Sequence, residues 1–133
     1  MSIVQTEWWC IELPDEWSAE MEDDCVSITD CDNVGTIDIS AVRKEGGLVG
    51  QQDLLDLAAD LVADDIQFQP VTIAGAEGVL FEYEQEGVTW REWYLAQGTL
   101  VLYATYNTEV EHAGLDDALV DEILSTLVFL DEH

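Results

Sequence analysis

The sequence predicts an α+β domain of about six strands and two helices in the order βββαβββα. Three observations carry this reading. The run from Gly78 to Asn107 is dense in β-branched and aromatic residues, and Gly87 and Gly98 punctuate it at the spacing of a three-strand meander. Three shorter alternating stretches precede it. One segment with apolar residues at helical spacing leads into the meander and another leaves it.

The whole-chain numbers bound the class. At 133 residues the chain fits one domain, 1–133, and with 48% apolar residues it can bury a core. No stretch reaches the roughly 18 uninterrupted apolar residues of a membrane span. Met1 to Glu7 has neither a positive n-region nor an apolar h-region, so the expected compartment is cytoplasmic. Cys10, Cys25 and Cys31 are an odd set without a Cys-x-x-Cys, which predicts reduced thiols. His112 and His133 are the only histidines and sit at no ligand spacing, so no metal site is expected.

Charge is the strongest deviation. Thirty acids against three bases give a formal charge of −27. The bases are Arg43, Lys44 and Arg91, whereas acids run from Glu7 to Glu132 without forming a tail. Such a chain cannot displace counterions from phosphates, which excludes nucleic acid as a direct partner. Acidic membrane surfaces are excluded for the same reason. A basic protein partner is compatible with it.

Taken in order, Glu7 to Leu13 alternates with Trp9, Ile11 and Leu13 on one face, a first strand. Pro14 stops it, and Trp17 is expected to fold back onto the core. Glu20 to Asp24 reads as a solvated turn, and Cys25 to Thr29 as a second strand with Val26 and Ile28 inward. Asp30-Cys31-Asp32-Asn33-Val34-Gly35 starts like a calcium loop. It lacks an oxygen ligand at Val34 and a bidentate Glu at Ala41, so a hairpin turn is expected instead. Thr36 to Val42 is the third strand, with Ile37, Ile39 and Ala41 on a covered face and Thr36, Asp38 and Ser40 on a wet one. Gly46-Gly47 lacks the spacing of a phosphate loop and reads as a connector.

Gln51 to Asp65 predicts the first helix, with a stripe of Leu54, Leu55, Ala58, Leu61 and Val62. Pro70 ends a linker, and Val71-Thr72-Ile73 opens the second half. The last helix is expected to run to about Val128, with Leu115, Leu119, Ile123 and Leu127 inward. Two-residue loops at Glu86-Gly87 and Gln97-Gly98 would set Glu82 opposite Arg91, an opposite-charge pair. One face of the meander then collects Val79, Phe81, Tyr83, Trp90, Glu92, Tyr94, Val101, Tyr103 and Thr105. The other collects Leu80, Glu82, Arg91, Trp93, Leu95, Leu100, Leu102 and Ala104, and suits an aliphatic helix. Aromatic residues on both faces fit a plain core. Tyr and Trp also tolerate water, so Phe81, Tyr83, Trp90, Tyr94 and Tyr103 are the candidate partner-binding residues.

No nucleophile elbow, zinc-protease motif or paired His and nucleophile is present, and carboxylate pairs arise by chance at this acid density. No catalytic residue and no cofactor is expected. Several strings, Leu13-Pro14-x-x-Trp17, Gly35 to Ser40, Trp93-Tyr94-Leu95 and Leu100 to Asn107, resemble small bacterial domains of unknown function with the PsbP-like fold, shared with the Ran-binding Mog protein. The resemblance implies a curved antiparallel sheet with helices against it, in proteins that mostly bind other proteins. The expected function is therefore a non-enzymatic protein-binding domain of the adaptor, chaperone or immunity type. Two alternatives stand beside it: a housekeeping domain whose acidity is halophilic adaptation, and a small-molecule-binding domain with a cavity beneath its helices. An acidic mimic of nucleic acid would need clustered charge.

Overall fold

The computed structural model describes residues 2–6, 9–22, 25–30, 35–43, 49–112 and 117–129. Among the described residues, ten strands form two antiparallel sheets. β1 (Ser2–Gln5), β2 (Trp9–Leu13) and β10 (Val128–Phe129) make a small sheet in the order β1-β2-β10. β3 (Trp17–Met21), β4 (Val26–Asp30), β5 (Gly35–Arg43), β6 (Phe68–Ile73), β7 (Ala76–Gln85), β8 (Val88–Gln97) and β9 (Leu100–Glu109) make the large one. Its order is β3-β4-β5-β9-β8-β7-β6, two meanders zipped along β5 and β9. The helices are α1 (Gln51–Leu57), α2 (Ala59–Ala63) and α3 (Asp117–Ser125), with a 3-10 turn at Val110–His112.

The antiparallel α+β class stands, but the strand count is corrected from about six to ten. β1, β3, β6 and β10 are the additions. β3 takes in Glu20 and Met21, read from sequence as part of a turn, because backbone pairing to β4 outweighs the polarity of Glu20. β6 holds Pro70 and is mostly exposed, as an edge strand allows. β10 follows α3, which ends at Ser125 rather than near Val128, and pairs with β2. The first helix is two helices, broken at Ala58 (φ −93°, ψ 24°); Leu54 and Ala58 are buried, whereas Val62 is exposed.

The meander fits the sequence reading closely. Gln85 pairs with Val88 around Glu86 (φ 54°) and Gly87 (φ 80°), a turn with two left-handed residues, and Glu82 lies opposite Arg91. The next turn is displaced by one residue: Gln97 pairs with Leu100, so Gly98 (φ 63°) and Thr99 form the loop. That slides the cross-strand partners by two positions. Because side chains alternate with period two, both faces keep their predicted members.

Each face has its own core. The Leu-rich face of the large sheet packs on the small sheet and α3 through Trp93, Leu95, Leu102, Trp9, Ile11, Ile123 and Leu127, with Trp17 buried as expected. Arg91 is held there at 2.8 Å from Asp121 of α3 and 3.7 Å from Glu82, its guanidinium 4.6 Å from the Trp93 ring centre. The opposite face carries a smaller core in which Leu54 and Ala58 cover Val79, Phe81, Tyr94 and Val101. The calcium-like segment at 31–34, Lys44, Gly46-Gly47 and Leu115 lie outside the described residues. Cys10 and Cys25 are free thiols. Among the described residues, no helix is long and apolar enough to cross a membrane.

Candidate functional site: a tyrosine-ringed carboxylate

Alternation along β7, β8 and β9 puts the five predicted aromatics on one face and Glu92 at their centre. Glu92 is directly opposite Phe81 on β7 and Thr105 on β9, while Tyr94 is opposite Tyr103. Glu92 is only 5% exposed. Tyr103 donates to Oε1 at 2.7 Å and Tyr94 to the same oxygen at 3.2 Å; Tyr83 donates to Oε2. Among the described residues these three hydroxyls are its only hydrogen-bond partners, and none supplies a positive charge. Burial, reinforced by the Glu92 charge, pushes the Tyr83, Tyr94 and Tyr103 phenols up from their ordinary pKa.

The rings continue the network. Tyr94 and Tyr103 stack at 4.8 Å, and Phe81 meets Tyr94 edge-on at 5.8 Å. Tyr83 and Trp90 lie nearly parallel, 8° apart at 6.2 Å. The five candidates therefore divide. Phe81 and Tyr94 are buried under α1, whereas Tyr83, Trp90 and Tyr103 are half-buried. Trp90 lies outside the core that the helices cover. The side chains of Ser27, Asp38 and Ser40 carry the same face onward across β4 and β5, with Ser27 donating to Asp38 at 2.5 Å.

A cavity of about 490 Å³ opens where the helices meet this face. Tyr83, Glu92 and Tyr103 line it from the sheet, and Leu57, Asp60 and Asp64 from the helices. A larger hollow of about 650 Å³ lies near Gly50, Pro70 and Gly98, but among the described residues Glu77 is its only charged lining residue. Only the first gathers chemistry. Glu92 appeared in the sequence as a member of the aromatic face. The signal that could have singled it out is its isolation: a lone carboxylate inward among Tyr, Phe and Val on a face destined for burial.

No protein-family model and no curated protein matches the chain. Solved structures do. A Bacteroides thetaiotaomicron protein aligns over 94% of this chain at TM-score 0.71 and 19% identity. The chain spans 46% of that protein's length. The cyanobacterial PsbP protein (CyanoP) of Synechocystis aligns over 92% of this chain and 86% of its own, at TM-score 0.66 and 9% identity. A Pseudomonas aeruginosa protein of unknown function, for which a regulatory role has been suggested, covers 99% of both chains at TM-score 0.58 and 14% identity. The chain has the PsbP-like fold. At these identities the likeness carries the fold alone.

Proposed function

We propose that this chain is a non-enzymatic protein-binding domain, of the adaptor, chaperone or immunity type, that receives a basic partner on the part of the aromatic face left open by α1 and α2. The observation that supports it is the half-buried Tyr83–Trp90 stack beyond the helix-covered core. Asp38 and Glu109 share its face, and Asp60 on α2 and Asp64 at its C-cap stand beside the same sheet. Rigid aromatics flanked by acids suit a basic surface, with the charge steering approach and the rings supplying contact area. Phe81 and Tyr94 act beneath this surface as its support. The test is Trp90→Ala. A protein captured by the wild type, reconstituted as a pure complex and lost on Trp90→Ala while unfolding stays cooperative, is the expected result. Equal capture by both forms, or loss of cooperative folding, removes Trp90 from the surface.

A second reading is favoured by the spread of exposed acids over every part of the described chain, including Glu16, Asp56, Glu82, Glu111 and Glu122. On it the acidity is adaptation to high salt, and the domain folds fully only in molar salt.

A further inference from the structure

We infer that the cavity beneath α1 and α2 is a binding site for a small organic ammonium ion, its charge set against Glu92 and the rings of Tyr83, Tyr94 and Tyr103. The inference is independent of any protein partner. Three phenol hydrogens replace the hydration of the Glu92 carboxylate but bring no positive charge to offset it. Asp60 and Asp64 line the same cavity, so among the described residues its lining offers carboxylates and no base. An anion is repelled there. A cation is drawn in, and aromatic faces add the attraction of their ring quadrupoles.

The choice between a metal ion and an organic cation follows from lone pairs. A carboxylate offers about four acceptor positions, and hydroxyl donors already occupy three on Glu92. A hard metal ion needs several oxygens at short range and would have to displace those hydrogens. An alkylammonium needs none of them displaced: its charge is felt through the field and the rings, while its carbons meet Leu57, Leu61 and Val101. The volume, about 490 Å³, lies in the range of small-ligand pockets. Leu57 and Val42, each 52% exposed at the lining, give an alkyl group apolar surface to cover.

The experiment is a chemical-shift titration of the whole chain in about 0.15 M salt, which screens the overall negative charge. The probes are choline and its neutral carbon isostere 3,3-dimethylbutan-1-ol. Choline should shift the Tyr83, Tyr94 and Tyr103 resonances saturably, and the isostere should bind at least about tenfold more weakly. Glu92→Gln, which keeps the shape and alters the net charge by one, should weaken choline by about tenfold or more. If Glu92→Gln does not fold, the exposed pair Asp60→Asn with Asp64→Asn carries the test and should weaken choline several-fold. Equal binding of both probes, no saturation by concentrations well above about 1 mM, or unchanged affinity in the folded variant overturns the assignment.

Discussion

Glu92 is where burial and charge conflict most directly, and hydrogen bonding resolves the conflict. Replacing it with Ala removes the acceptor for three phenols, among them that of the buried Tyr94. Losing a buried donor's partner costs about 1–3 kcal/mol, and this outweighs the relief of one repulsive charge at the surface scale of ~1 kcal/mol. Glu92→Ala should therefore lower the unfolding free energy by about 1–3 kcal/mol in urea titration; a stabilised variant would show that charge repulsion dominates. The tyrosines give the pH dependence. Their folded pKa values are raised, so the native state holds these protons more tightly than the unfolded chain. Their contribution is complete below about pH 10, the unfolded phenol value, and is lost as pH rises above it. Melting followed from pH 8 upward should fall beyond about pH 10, and less steeply in Tyr103→Phe.

At the level of elements, turns and close approaches set what can be exchanged. Glu86 holds a left-handed φ of 54° ahead of Gly87, where Asn is the favoured residue. Glu86→Asn should stabilise by about 0.5–1 kcal/mol in thermal unfolding. Gly78 is the opposite case, since a Cβ there would lie 2.1 Å from the Tyr94 carbonyl oxygen. Backbone in a paired strand cannot yield, so Gly78→Ala should cost about 3 kcal/mol or abolish folding, read by circular dichroism. The same elements mark what was legible in the sequence. β7, β8 and β9 were, because alternation and Glu-Gly chemistry are local signals. The second turn slipped by one because Gly98 opens its loop rather than closing it, and both placements leave a Gly at the bend. β6 offers only the short alternation of Val71 and Ile73, and β10 is two residues long, so both exist through their neighbours. The aromatic face was legible too; its division was not, since only the docking of α1 and α2 buries Phe81 and leaves Trp90 half-open.

Across the whole molecule, a charge of −27 makes self-repulsion a collective term that no single pair reports. Added sodium chloride should raise the melting temperature steadily to about 1 M, where the screening length falls to about 3 Å. A flat response would mean the acids are already too far apart to repel. The small sheet adds a constraint of another kind. β2 is flanked by β1 on one side and by β10 on the other, and the Glu12 amide donates to the Thr126 hydroxyl 114 positions later at 2.9 Å. During synthesis β2 therefore emerges with Trp9, Ile11 and Leu13 ready to be covered, long before α3 and β10 exist to cover them. The interval leaves an apolar strand with an open edge, which invites pairing with other nascent chains. A dense negative charge on every copy is a direct defence during that wait.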